Sequence, residues 1–302
     1  MNARSLRPRG AIKYQSHFGN STVATGWGES THAELSWKKS RGVALRWAIA
    51  GSVIGALIGV VAYAPAAWLA RSVASASGQR LVLSDARGTV WSGSAIVVLT
   101  GGPGSRDASS LPGRLDWTLR PGGGGFNLNL RQDCCLNQTV TLNIRPAGGG
   151  VGATLLPSQG WVGQWPAAWL GGLGTPFNTL QLGGAVRLAS PGFTLEFVQG
   201  RVRFDGRADI ELTSASSRLS TIEPLGSYRL TIASQPSSPG SASLNLSTQD
   251  GPLQLSGTGV WSTGGVRFRG EAQAGAKEQA GLDNLLNIIG RRSGARSVIS
   301  IG

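Results

Sequence analysis

The sequence has few of the residues that most catalytic and metal sites require. Its only two histidines, His17 and His32, both come before a long apolar stretch, so the rest of the chain contains none. This excludes Ser-His-Asp catalysis and histidine-based metal ligation in that part. Its carboxylates are spread singly, and no phosphate-binding or dinucleotide-binding motif follows a predicted strand and opens a helix. We therefore expect no enzyme activity, no cofactor, no metal and no small-molecule substrate.

Cysteine is equally scarce, since the chain has only the adjacent pair Cys134 and Cys135. In an oxidising compartment these two can form a vicinal disulfide, which requires a strained peptide geometry. The alternatives are two buried thiols or a redox site, although a redox site more usually has Cys-x-x-Cys spacing. We expect a structural disulfide or inert thiols.

Charged residues are also few, at 14% of the chain. After residue 70 there are 20 basic and 13 acidic residues, a net charge of +7, and every basic residue there except Lys277 is an arginine. These arginines are scattered rather than clustered, which argues against nucleic-acid binding. A positive face toward acidic lipid headgroups, lipopolysaccharide or an acidic partner protein is the better interpretation.

The chain does have one long stretch without charge, Trp47 to Ala70, which is 24 residues long. As a helix it would measure about 36 Å, which spans a hydrocarbon core of about 30 Å with some tilt. A cleaved signal peptide, the main alternative, would have a shorter apolar region nearer the start. We therefore predict one transmembrane helix at residues 43–70. Gly51, Gly55 and Gly59 recur every four residues and would give it a smooth face for packing against another helix.

Basic residues before the apolar stretch determine the expected topology. Residues 1–46 carry a net charge of +6, and positive charge next to a membrane segment keeps that side cytoplasmic. We expect a disordered basic cytoplasmic leader at residues 1–42, a linker at 71–80 and a periplasmic domain at 81–302. The predicted location is the inner membrane of a Gram-negative bacterium, crossed once.

From Leu81 onward, apolar and polar residues alternate, which is typical of strands with one buried face. Phe126, Leu128 and Leu130 alternate with polar residues, for example, and segments rich in glycine and proline separate such runs. The predicted fold class is mainly β: the single N-terminal transmembrane helix is followed by an antiparallel, curved or half-barrel-like β domain with short helices.

Two segments of this domain have helical spacing instead. Trp161, Trp165 and Trp169 recur every four residues and are expected to form a short amphipathic helix that caps the sheet, the alternative being a helix on the membrane surface. Near the end of the chain, four apolar residues at helical spacing precede Gly290, and residues 298–301 are expected to form a last strand. The four apolar residues are Leu282, Leu285, Leu286 and Ile289.

Several short motifs give the chain a family resemblance. In order, they are GTVWSGSA at 88–95, GTPFNTL at 174–180, DGPLQLSGTGVW at 250–261, FRGEA at 268–272 and LLNIIGRR at 285–292. Together, and soon after a single apolar stretch, these motifs resemble the type II secretion system protein N family. The resemblance runs from about residue 43 to the C-terminus.

The resemblance implies a non-enzymatic, single-pass inner-membrane accessory protein of the machine that moves folded proteins from the periplasm across the outer membrane. It implies a role in assembly or stability, with other inner-membrane subunits of that machine as partners, reached through the glycine face of the helix and through the β domain. The alternative is a membrane-anchored lipid-handling module, similar to the AsmA group, in which the apolar face of a curved sheet would bind lipid.

The motif residues are interpreted as structural. The glycines permit turns or bulges, and the two tryptophans are expected to be large core anchors at equivalent points of a loose internal repeat. The residues to which we assign this structural role are Gly88, Trp91, Gly93, Pro176, Asn178, Gly257 and Trp261.

Overall fold

The computed structural model describes residues 26–157, 160–198, 201–238, 240–262, 264–275 and 277–302. The chain divides into two compact units, Met1–Val60 and Val61–Gly302. Most of the predicted leader, residues 1–25, lies outside the described residues. From Gly26 the described chain is helical, and Ala33, Glu34 and Leu35 are good helix formers; the disorder expected at 1–42 stays a prediction.

The first helix, α1 (Gly26–Ala62), contains one segment that is apolar and long enough to cross a membrane, Ala44–Ala62. Its 19 residues would rise about 28 Å, close to the thickness of a hydrocarbon core. Gly51, Gly55 and Gly59 lie in this segment. No described atom comes within 4 Å of a Cβ added at any of them, so their surface is unoccupied by the rest of the described chain.

The apolar stretch is interrupted before Ala70, in contrast to the single helix predicted. Helix α1 ends at Ala62, and a separate helix, α2 (Ala66–Ala76), begins directly after Pro65. Proline has no N–H to continue a helix and clashes with the preceding turn, so it stands at the start of α2 instead. Because α2 packs on the sheet with Ala66 only 1% exposed, the predicted linker at 71–80 is also wrong for its first six residues.

The described residues after α2 are dominated by one antiparallel sheet of sixteen strands, which confirms the mainly β prediction. The strands are β1 (Leu81–Gly88), β2 (Ser92–Thr100), β3 (Ala108–Ser110), β4 (Leu115–Gly122), β5 (Gly125–Arg131), β6 (Val140–Ala147), β7 (Gly150–Leu155), β8 (Trp161–Pro166), β9 (Leu182–Val198), β10 (Arg201–Ser217), β11 (Gly226–Ser234), β12 (Ala242–Asp250), β13 (Leu253–Ser262), β14 (Gly265–Ala274), β15 (Arg291–Ser293) and β16 (Arg296–Ile301).

Neighbouring strands mostly follow chain order, as expected for a meander. The path runs β1-β2-β4-β5-β6-β7-β9-β10-β11-β12-β13-β14-β16-β15, with β3 paired to β2 and β8 paired to β9. Strand β9 is long enough to take β7 along its second half and β8 along its first half. The path does not return to its start, so the sheet is open.

The sheet curls around one apolar face. The rings of Phe204 on β10 and Trp261 on β13 are 5.9 Å apart, and Phe204 also stacks on Phe193 of β9 at 5.4 Å. Strands β10 and β13 are three positions apart, about 14 Å in a flat sheet. A bend of the sheet toward these rings shortens the gap that they bridge, and we call the face that carries them the concave face.

Helix α4 (Gln279–Ile289) covers part of the apolar face, as predicted, and ends at Gly290. Leu282, Leu285 and Leu286 are at most 1% exposed, and they pack around Tyr228 of β11. Burial raises the pKa of Tyr228, whose hydroxyl lies within hydrogen-bond distance of two backbone carbonyl oxygens, those of Leu225 and Leu253. The expected last strand is β16.

The tryptophan segment is a strand rather than the helix predicted. Trp161 and Trp165 lie on β8, and only Trp169 falls in a short helix, of 3₁₀ type, at Ala167–Leu173. The first half of β9 offers β8 a free edge, which it pairs from Trp161↔Ala189 to Pro166↔Ala185. Tertiary pairing therefore overrides the helical spacing.

Candidate functional site

The two ends of the sheet differ in what is attached to them. Strands β1, β4, β6, β9, β11 and β13 all finish at one end, where β2, β5, β7, β10, β12 and β14 begin. We call it the anchor end, because the residues at the close of the apolar segment are bound here. The other end carries α4 and the connection between β2 and β3.

The turn between β1 and β2 binds residues 61–65 through hydrogen bonds to their backbone carbonyl oxygens. The indole Nε1–H of Trp91 donates to the carbonyl oxygen of Val61 at 2.7 Å, and the amide of Val90 donates to Ala64 at 2.9 Å. Pro65 and Thr89 form an antiparallel bridge. The GTVWSGSA motif thus binds Val61, Ala64 and Pro65, at and just after the close of the candidate span, to the sheet.

Glycines make this turn possible. Gly88 has a φ of +89°, which favours glycine, and a Cβ there would lie 2.6 Å from the carbonyl oxygen of Ser92. A Cβ on Gly93 would lie 2.6 Å from the ring of Trp117. Trp117, which is 2% exposed, fills the space beneath the turn and donates its Nε1–H toward the carbonyls of Thr89 and Val90.

The two motif tryptophans do not occupy equivalent places, which differs from the expectation. Trp91 lies in a turn, is only partly buried and packs on Phe126 at 5.9 Å, whereas Trp261 lies within β13. Near the motif turn the core anchor is Trp117, which sequence reasoning missed. The sequence did contain a signal for its burial, because Leu115, Trp117 and Leu119 lie at alternate positions on the same face of β4. The idea of a loose internal repeat loses its main support.

A small ion network stabilises the strand that leads into the turn. Arg114 donates to the carboxylate of Asp85 at 2.8 Å and to its backbone oxygen at 2.7 Å, and Arg87 also pairs with this carboxylate. These hydrogen bonds, that of Arg114 first, hold the pKa of Asp85 below its usual value of 3.8. Asp85 has a φ of +49° at a break in the β1–β2 register, so the network fixes an irregular point of the edge strand.

The GTPFNTL motif joins two loops at the opposite end of the sheet. The peptide bond between Thr175 and Pro176 is cis, and Asn178 donates from Nδ2 to Asp107 at 3.1 Å. Asp107 precedes β3, so this contact fixes the β2–β3 loop against the short helix α3 (Phe177–Leu180). Nothing in the motif's spacing pointed to Asp107 as the partner, because 71 residues separate the two.

The glycines near the C-terminus accommodate one aromatic ring. Phe268 on β14 lies across Gly257 and Gly259 of β13, where an added Cβ would collide with it, and across Gly270 of its own strand. Glycine leaves the face of a strand bare, and an aromatic ring can cover that gap. These residues are therefore packing residues at the anchor end.

The remaining predicted residues are not brought into this site. Cys134 and Cys135 follow β5 at the opposite end of the sheet and are joined there, with Cys135 buried and Cys134 exposed. Beside them is a hollow of about 370 Å³ that includes Trp161 and Gln164. The oxidation state remains a prediction, which the intact mass before and after reduction would test. Gly51, Gly55 and Gly59 belong to the first unit.

Comparison with known families gives one match. The family described as Type II secretion system (T2SS), protein N, matches residues 79–299, which include all of the motifs from 88 to 292. Neither a curated protein nor a solved structure matches the chain.

Proposed function

Because the chain belongs to the type II secretion system protein N family, we propose that it is a non-enzymatic inner-membrane accessory subunit of that system. In this proposal Ala44–Ala62 crosses the inner membrane once with its N-terminus in the cytoplasm. The β domain lies in the periplasm, where it aids assembly or stability of the machinery that exports folded proteins. The partners are other inner-membrane subunits of the system.

One observation carries the proposal beyond family membership. Trp91 and Val90 bind Val61 and Ala64, at the close of the candidate span, to the sheet, so no long flexible linker precedes the β domain. A direct tether suits a subunit that keeps periplasmic and membrane components of a machine in a fixed relation. A carrier that swings between sites would instead need a flexible linker.

A linker insertion would test this role. About ten Gly and Ser residues inserted between Val60 and Val61 should separate the span from the residues that the sheet binds, while leaving the sheet intact. The matched control places the same insertion after Gly113, an exposed residue between β3 and β4. In a strain that depends on this chain, we expect secreted proteins to accumulate in the periplasm with the first insertion and not with the second.

Crosslinking in intact inner membranes would test the partners. We expect other subunits of the secretion platform to copurify with the full chain at native expression. Normal secretion in a strain that lacks the chain, together with no platform subunit among the crosslinked products, would contradict the proposal.

The lipid-handling alternative has less support from the concave face. Much of that face is filled by the protein's own side chains, including the leucines of α4 and the stacked rings of Phe193, Phe204 and Trp261. Lipid mass spectrometry on protein purified without detergent remains its test, and a stoichiometric lipid would favour it.

A further inference from the structure

The anchor end also presents a surface that the tether does not use. Among the described residues after Trp68, eight large apolar side chains are exposed, and six of them lie near the anchor end; Leu156 and Ile288 are the exceptions. The six are Phe126, Val151, Phe197, Val260, Val266 and Ile301. Such a concentration of exposed apolar residues at one end of a sheet indicates a contact surface.

Strand register places most of these apolar residues on the inner side of this end. Phe126 aligns with Ile144, and Val151 aligns with Phe197, in rows that continue the concave face. Val266 aligns with Trp261, and Ile301 aligns with Phe268. These apolar side chains therefore form an inner lip along the anchor end, where the apolar face continues beyond the side chains that bury the rest of it.

Four arginines form the outer lip. They lie on the opposite face of the sheet, on β4, β6, β10 and β14, are exposed, and have no carboxylate of the described chain within 4.0 Å. They are Arg120, Arg145, Arg203 and Arg267. The carboxylates of Glu196 and Asp205 lie nearby, so these six groups leave a net charge of +2. We call the two lips together the anchor rim.

The opposite end of the sheet has a different charge. It carries carboxylates together with exposed arginines; the carboxylates are Asp107, Asp116, Asp133, Glu223, Asp250 and Glu278, and the arginines include Arg106, Arg218 and Arg291. At the anchor end, by contrast, the exposed arginines lie beside exposed apolar residues. Apolar side chains beside unpaired arginines are what an interface with acidic headgroups and the first part of the acyl chains requires.

One corner of the anchor rim has room for a headgroup. An open hollow of about 660 Å³ lies between β13, β14 and the end of β16, and Arg267 and Arg269 line it together with the hydroxyls of Ser241, Thr258 and Ser300. Arginine and hydroxyl groups are the usual ligands of a phosphate oxygen.

We propose that the anchor rim docks on the anionic phospholipid surface of the membrane that holds the candidate span. Val61 and Ala64 are bound at this same end, so the rim begins where the chain leaves the bilayer. Each arginine near an anionic surface contributes roughly fivefold to binding. The inference rests on the proposed membrane anchor and is independent of any partner in the secretion system.

Photocrosslinking in vesicles would test the docking. The full chain is reconstituted into vesicles of phosphatidylglycerol and phosphatidylcholine with a benzophenone amino acid at Phe126, Phe197 or Ile288. Phe126 is 38%, Phe197 is 41% and Ile288 is 41% exposed, so they differ in location rather than accessibility. We expect covalent phospholipid adducts by mass spectrometry at the first two positions and only background at Ile288, which lies on α4.

Reversing the charge of the outer lip would test whether its arginines cause the docking on phospholipid. Arg120→Glu/Arg145→Glu/Arg203→Glu should lower the adduct yield at Phe126 at least about fivefold, as should vesicles of phosphatidylcholine alone. Arg106→Glu/Arg218→Glu/Arg291→Glu reverses three exposed arginines at the opposite end and should leave the yield unchanged. Far-UV circular dichroism checks that both variants keep the fold.

Each other outcome has a distinct meaning. A chain that fails to enter the vesicles would contradict the membrane anchor itself. A chain that inserts but gives equal adduct yields at Phe126, Phe197 and Ile288 would overturn the docking alone. The same holds if neither the arginine substitutions nor vesicles of phosphatidylcholine alone change the yield at Phe126. Adducts between two protein chains in place of lipid adducts would assign the anchor rim to a second copy.

Discussion

Two helices cover the same sheet by different means. Helix α4 inserts three leucines that are at most 1% exposed, so apolar volume holds it in place. In helix α2 only Ala66 is fully buried. The residues just before the helix are bound by Trp91, Val90 and Thr89. Leu69 and Val73 pack against the core but are only partly buried, so close approach and backbone hydrogen bonds account for more of the attachment of α2. Substitutions that remove side-chain volume should therefore weaken the packing of α4, and substitutions that add volume should weaken the packing of α2.

The largest effect is expected from Leu286→Ala on α4. Removing most of a fully buried leucine side chain leaves a cavity and should cost about 2–5 kcal/mol of unfolding free energy. Urea unfolding of the full chain in detergent, followed by far-UV circular dichroism, measures this. The control is Ile288→Ala, at a residue that is 41% exposed, where a change of less than about 1 kcal/mol is expected. Equal losses would mean that α4 does not pack as described.

For α2 the informative change is Ala66→Leu. Ala66 is 1% exposed against β1, so a larger side chain must push the helix away, at a cost of about 1–3 kcal/mol. Ala76→Leu adds the same volume at the exposed end of the helix and should be nearly neutral. If both variants have the same unfolding free energy as the original chain, α2 does not approach the sheet as closely as described.

A smaller effect is expected from Trp91→Phe, which keeps a ring beside Phe126 and removes the N–H that donates to Val61. The cost should be about 0.5–1.5 kcal/mol, because water can replace part of the lost hydrogen bond at this partly exposed site. Hydrogen exchange of the Val90 amide should also quicken. Trp68→Phe, at an exposed residue of α2, serves as the control and should alter neither quantity.

The smallest effect concerns the pH dependence at Asp85. Because Arg114 and Arg87 lower its pKa below 3.8, its contribution to stability is present above pH 3.8 and is lost as the pH falls through the lower, folded-state pKa. Asp85→Asn should remove this acid-dependent loss, and asparagine tolerates the positive φ. Thermal unfolding from about pH 5 to about pH 3 measures it. Asp133→Asn, at a carboxylate that is 89% exposed, should keep the dependence of the original chain.

The contrast between the helices also explains which parts of the fold were predictable. The leucines of α4 recur at helical spacing between polar residues, so their pattern predicts both the helix and its buried face. The residues of α2 continue an apolar run that starts in α1, and no change of composition marks the boundary. Only Pro65 hinted at an interruption.

The motif turn shows the same limit at the level of a site. The glycines at 88 and 93 predicted a turn, and the turn is there. That Trp91 would donate to Val61, and that Trp117 would be the buried ring, depended on residues about thirty positions apart meeting in space. Local patterns carry no information about such distant partners.

By itself, the sequence determined the apolar segment, the antiparallel β class, the last helix and the secretion-system family, because each depends on composition, periodicity or short motifs. Only the tertiary structure decided where the span ends, that Trp161 and Trp165 join a strand, and that exposed apolar and arginine residues from distant strands gather at one end of the sheet. Those features arise from pairing across the sheet, where one free strand edge or one buried ring outweighs local preference.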